Sequence, residues 1–97
     1  MEEADIVRRM IERLNSIPGV YCLRTHGGSF QQKGTPDVLG SAHGRFFAIE
    51  AKRSAKEKPT KAQQYNLTKF REAGGKTFVS WDPQAREVVE WISSLSE

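Results

Sequence analysis

One cysteine, Cys22, and two histidines are all this chain offers of the soft metal ligands, and no hydrophobic run approaches the ~18 residues that a membrane-spanning helix needs. A single cysteine excludes an internal disulfide and a cysteine-built metal cluster, so Cys22 is expected to be a buried free thiol. The sequence opens on Glu2 and Glu3 rather than on the basic stretch and apolar core of a secretory signal. A soluble, intracellular (cytoplasmic) protein with no membrane partner is therefore expected. Internal repeats, low-complexity tracts and an evident linker are also missing. With 97 residues there is room for a single domain spanning 1–97, and a hydrophobic content of 37% supplies one modest core. A chain of this size buries roughly 60–70% of its unfolded surface. Its stability margin is small, and association with a second copy would add to it.

What the chain does have is a mild positive excess, net +3, concentrated in the run KRSAKEKPTK, where lysines and an arginine face a single glutamate. The run suits a polyanionic partner, and it also suits a plain solvated loop.

Hydrophobic spacing predicts a helix from Glu3 to Asn15, with Ile6, Val7, Met10, Ile11 and Leu14 on one face and Arg8, Arg9, Glu12 and Arg13 on the other. Pro18 and Gly19 end it. VYCLR reads as a strand, THGGSFQQKGT as a long glycine- and glutamine-rich loop, PDVLG as a short strand, SAHG as a turn, and RFFAIEAKR as a longer strand central in a sheet. Thr60 caps a helix running to Ala73, stopped by Gly74 and Gly75; KTFVSW is a further strand. Asp82 and Pro83 supply an N-cap and first position for a last helix through Val88, Val89, Trp91, Ile92 and Leu95. That helix must bury its stripe either on its own sheet or across a two-fold axis. The order α-β-β-β-α-β-α is one mixed α/β layered domain.

Two predicted strands carry charge where core is expected. Glu50 and Lys52 stand two apart and so share a strand face, and pairing of PDVLG with FFAIEAK would bring Asp37 near Glu50. Two close carboxylates repel unless a proton or a cation separates them, and oxygen ligands favour magnesium or manganese. A lysine beside such an ion can orient water or stabilise a phosphate under attack, chemistry that suits phosphodiester hydrolysis. The residues alone also admit a surface Glu50–Lys52 pair and an ordinary turn aspartate.

Pro36-Asp37 followed by Glu50-Ala51-Lys52 at the end of an apolar strand resembles the PD-(D/E)XK nuclease superfamily. An early glutamate on a first helix, a glycine shortly before the PD and KAQ opening the next helix resemble its virus-type replication-repair nuclease branch, VRR-NUC. The resemblance runs from Glu3 to Gly75. It implies a restriction-endonuclease-like core, a mixed central sheet flanked by helices. It also implies metal binding by Asp37 and Glu50, joined by the backbone carbonyl of Ala51, with catalytic assistance from Lys52 and a site role for Gln63. Gln63 shares a helical face with Leu67 and Phe70, which points it inward, and it is equally placed to complete a capping box with Thr60. Glu3 is the candidate helix-one acid and further metal ligand; a first-turn glutamate is also favoured by the helix dipole alone. Arg24, Lys33, Lys56, Lys58 and Lys61 are the candidate DNA-phosphate contacts, and solvated surface charge also accounts for them; His26 and His43 lie in loops and are weaker candidates to touch substrate. By resemblance the protein is a Mg2+- or Mn2+-dependent DNA endonuclease of phage or bacterial replication and repair, a homodimer acting on branched DNA such as a Holliday junction. A non-cleaving DNA-binding module, and a nuclease for single strands, flaps or RNA, are the alternatives.

Overall fold

The computed structural model describes residues 1–25 and 32–95. Its elements are α1 (Glu3–Asn15), β1 (Val20–Arg24), β2 (Val38–Ala42), β3 (Arg45–Ala51), α2 (Lys61–Glu72), β4 (Lys76–Ser80) and α3 (Arg86–Leu95). They follow the predicted order. The four strands form one sheet in the order β1-β2-β3-β4, antiparallel through β3 and parallel between β3 and β4, with α2 as the crossover. No helix among the described residues is long and apolar enough to cross a membrane. The glycine- and glutamine-rich loop expected after β1, with His26, falls largely on residues 26–31, outside the described residues.

α1 forms because its apolar residues recur at helical spacing, and the same spacing decides what it buries: Ile6, Val7, Met10 and Leu14 face the sheet. Arg8 stays on the exposed side between Asp5 and Glu12. α1 also protects the free edge of β1. Asn15 Nδ2 donates to the Cys22 carbonyl at 3.0 Å and the Cys22 amide donates to Asn15 Oδ1 at 2.8 Å, occupying backbone groups that an edge strand would otherwise expose. Cys22 itself is buried and free, and burial pushes its thiol up to about 11, so it is packing rather than chemistry.

Strand register assigns the two sheet faces. Val20, Cys22, Val38, Ala42, Phe47, Ile49 and Phe78 share the face that makes the core with α1 and α3. α3 buries its stripe there. Val88 and Ile92 are enclosed, and the Trp91 ring meets Phe47 and Phe78 edge-on at 5.9 and 5.7 Å. The opposite face carries Tyr21, Leu23, Leu39, Ser41, Phe46, Ala48 and Glu50. α2 packs there on β3 and β4, with Phe70 stacked on Phe46 at 5.0 Å.

Two local expectations are corrected. SAHG is not all turn: β2 continues to Ala42, which pairs with both Val20 and Arg45, and only His43 and Gly44 turn, each with positive φ (51° and 81°), the two-residue geometry that matches hairpin twist. The last helix does not begin at Pro83. Asp82 accepts hydrogen bonds from the amides of Gln84 and Arg86, each at 3.0 Å, and left-handed Ala85 (φ 51°) delays α3 to Arg86.

Candidate active site

The candidate residues meet at the end of the sheet where β3 finishes and β2 begins. β1–β2 pairing runs past the strand ends: the Thr25 amide donates to the Asp37 carbonyl at 2.9 Å and its hydroxyl donates to the Pro36 carbonyl at 2.6 Å. From the other side the segment is pinned to α2. Gly34 lies so close to Ala62 that a Cβ there would sit 2.5 Å from the Ala62 carbonyl carbon, and Asn66 donates to the Lys33 carbonyl at 3.1 Å. The glycine before Pro36-Asp37 is thus needed for close approach and for its φ of 81°. Held this way, Asp37 Oδ2 accepts the Ala51 amide at 2.8 Å. Within a strand the N–H and C=O of one residue point to the same side, so the Ala51 carbonyl also leaves β3 towards Asp37.

Glu50 lies beside this junction and is 1% exposed. Its Oε1 is buried without a hydrogen-bond partner, and its Oε2 stands 3.7 Å from Lys52 Nζ. Burial, then the adjacent Asp37 carboxylate, pushes the Glu50 carboxyl up to about 8, with the Lys52 charge opposing. Glu3, half-buried in the first turn of α1, feels the same cluster. Its carboxyl is raised by burial and then by Asp37, while Lys52 pulls the other way. Among the described residues no group of three His, Cys, Asp or Glu side chains is gathered tightly enough to form a metal-ligand cluster. The geometry therefore offers two carboxylates and a carbonyl, with Glu3 nearby.

Lys52 is 8% exposed, and its ammonium is aimed rather than free. Nζ donates to Gln63 Oε1 at 2.9 Å, and that oxygen also accepts the Thr60 amide at 2.8 Å. Thr60 Oγ1 in return accepts the Gln63 amide at 3.2 Å. Gln63 completes the capping box that starts α2, and the same side-chain oxygen meets the Lys52 ammonium. The Lys52 amide donates to the Ser80 carbonyl at 3.0 Å, tying its backbone to β4.

A buried, unpartnered carboxylate oxygen next to a second carboxylate is a poor arrangement for a bare protein and a good one for a hard divalent cation. The donor set fits magnesium or manganese. Arg24, Lys33, Lys56, Lys58 and Lys61 are all exposed, the last three in and after the loop that joins β3 to α2. Arg53 differs from them. Its amide donates to Glu57 Oε1 at 2.7 Å and its guanidinium grips Glu57 Oε2 at 2.9 Å, so one cation of the basic run is already neutralised. His43 occupies the hairpin turn and is not part of the site.

No family model matches this chain, and no curated protein matches it. Solved structures do. A VRR_NUC domain shares 21% identity at a TM-score of 0.70, covering 97% of this chain and 92% of its own. Hjc, a Holliday junction resolvase from the archaeal hyperthermophile Archaeoglobus fulgidus, shares 19% identity at a TM-score of 0.51, covering 79% of this chain and 61% of its own. At these identities the likeness shows the fold, and the chain has the VRR_NUC fold.

Proposed function

We propose that this chain is a divalent-metal-dependent DNA endonuclease that hydrolyses phosphodiester bonds at the Asp37–Glu50–Lys52 site. The observation that carries the reading is the unpartnered, buried Glu50 Oε1 beside Asp37, with the Lys52 ammonium held over the same carboxylate by Gln63. Asp37, Glu50 and the Ala51 carbonyl would hold magnesium or manganese, and Glu3 would complete the set. The bound ion supplies charge neutralisation at the phosphate and a more acidic water.

The remaining work falls to the chain's own groups. Asp37 is anchored through Oδ2 by the Ala51 amide, which leaves its second oxygen to serve the ion. Lys52 donates to the attacking water or to the phosphate oxygen on which charge develops, and the Gln63 carbonyl keeps Nζ from collapsing onto Glu50. Because the Thr60–Gln63 capping box fixes that carbonyl, the lysine is oriented before substrate arrives. Arg24, Lys33, Lys56, Lys58 and Lys61 are free to follow phosphates on either side of the scissile bond.

Branched DNA is the proposed substrate. The fold is shared with a Holliday junction resolvase, and a pair of chains related by symmetry would present two sites to two strands. The test is labelled linear duplex, single-stranded, flap and four-way DNA, each with magnesium, manganese or chelator. Metal-dependent cutting of the four-way substrate is expected. Preference for single strands or flaps would move the substrate, tight binding without cutting would make the protein a binding module, and undiminished cutting in chelator would sink the metal assignment.

A further inference from the structure

We propose, resting on the nuclease reading above, that a hollow walled by Trp81, Pro83 and Arg86 takes an unpaired nucleobase of the DNA, so that open or branched DNA is preferred to intact duplex. β3 and β4 are parallel and both finish at the candidate active-site end of the sheet, and crevices beyond the carboxyl ends of such strands are where open α/β sheets take ligands. Sheet order puts β4 on the side of Lys52 away from Asp37. Ala51 pairs with Ser80, and the Lys52 amide donates to the Ser80 carbonyl at 3.0 Å. Trp81 is the next residue of the chain, and neighbouring strands stand only ~4.8 Å apart. Tryptophan is highly buried on average, yet Trp81 is 49% exposed. With Ser80, Pro83 and Arg86 it lines a hollow of about 380 Å³, within the size range of small-ligand sites.

Fixed walls and charge identify the occupant. Ser80 Oγ accepts the Asp82 amide at 3.2 Å, and Asp82 accepts the amides of Gln84 and Arg86 at 3.0 Å each, so the turn that carries Trp81 and Pro83 is built before substrate arrives. Asp82 and Glu87 also border the hollow, where the single cation is Arg86. With no positive excess, the hollow offers little to a phosphate and suits a neutral, flat group. The phosphate belongs instead to Lys52 on the adjoining strand. An indole face stacks on any base, and the exposed Arg86 guanidinium supplies a second planar surface. Bases inside a duplex are covered on both faces by their neighbours, so only an unpaired or terminal base can enter. Branch points, flaps and single strands supply such bases. The hollow thus selects them without reading sequence, because every base has a π-face.

The test is DNA binding in chelator, read by the anisotropy of labelled single-stranded, four-way and fully paired linear DNA, for the wild type, Trp81→Ala, Trp81→Phe and Tyr21→Ala, each checked for native circular dichroism. Tyr21 is the control, an exposed aromatic on the opposite edge strand. The wild type should prefer single-stranded and four-way DNA to the duplex. Trp81→Ala should reduce that preference about 5- to 100-fold, while Trp81→Phe keeps most of it and Tyr21→Ala all of it. An unlabelled single strand should quench the tryptophan fluorescence of the wild type and not that of Trp81→Phe, which retains only Trp91, packed against Phe47 and Phe78. A wild type without preference for unpaired DNA, a preference that survives Trp81→Ala, or an equal loss for paired and unpaired DNA would overturn the proposal. Selective loss in a protein that cuts no DNA with magnesium or manganese would uphold the base site and reject the nuclease reading. Metal-dependent cutting whose substrate preference is unchanged in Trp81→Ala would do the reverse.

Discussion

Replacing Glu50 by glutamine removes one ionisable proton from the most enclosed part of the site and changes little else in shape. In the metal-free protein the Glu50 carboxyl titrates near 8 instead of its ordinary 4.5, chiefly because it is buried and then because Asp37 lies beside it. Between those values the folded chain keeps a proton that the unfolded chain has released. Stability from this group is therefore fully present below about 4.5 and is lost as pH rises towards 8. The loss is bounded by about 1.4 kcal/mol per pH unit, which over pH 5 to 8 amounts to roughly 2–4 kcal/mol. A glutamine amide cannot ionise, so the Glu50→Gln protein should gain on wild type by that amount across the range in chelator. Urea unfolding followed by tryptophan fluorescence is suitable, since Trp91 packs between Phe47 and Phe78. Manganese at pH 8 should then close most of that gap, stabilising wild type by about 3 kcal/mol at a hundred times its Kd and leaving the glutamine variant unmoved. Wild-type and variant stabilities that run parallel from pH 5 to 8 would refute the assignment of Glu50 as a strained, cation-seeking carboxylate.

Lys52→Ala should lower single-turnover cutting by about 10²–10⁴-fold while leaving junction affinity within about 3-fold, because Nζ acts on the water or the developing charge; normal turnover would remove Lys52 from the chemistry. Neutralising Lys56, Lys58 and Lys61 one at a time should flatten the log–log salt dependence of DNA binding by about one unit for each lysine that meets a phosphate, and an unchanged slope would return the run to a solvated loop.

The helices and most strands were legible because their periodicities are unmixed: the stripe of α1, the apolar run of β3 and the Thr60 capping box each point to one local structure. The two misread boundaries have a common cause. Ser41 and Ala42 lack strand propensity, yet Ala42 is paired on both sides, so sheet register overrode local preference. Asp82-Pro83 is a good helix start by composition, but the Asp82 carboxylate caps a turn first and the helix only afterwards. At the site, Asp37, Glu50 and Lys52 were marked by charge inside apolar segments. The Asp37–Ala51 amide bond and the shared Gln63 oxygen were not readable, because both depend on how β2, β3 and α2 sit together. Nor was the bare outer face of β1 and β2, since Tyr21 and Leu23 look like core residues until α2 is seen to stop short of them.

The most direct test of the central claim is single-turnover cleavage of a labelled four-way junction at saturating magnesium by wild type and by Asp37→Asn, purified side by side. Asparagine at this position keeps the size of the side chain and can still accept from the Ala51 amide, but it removes the charge that a divalent ion needs. Cutting by wild type and a loss of at least ~10³-fold in the variant, with junction binding preserved, is the predicted result. Equal rates for the two proteins would place the chemistry somewhere other than the Asp37–Glu50–Lys52 site.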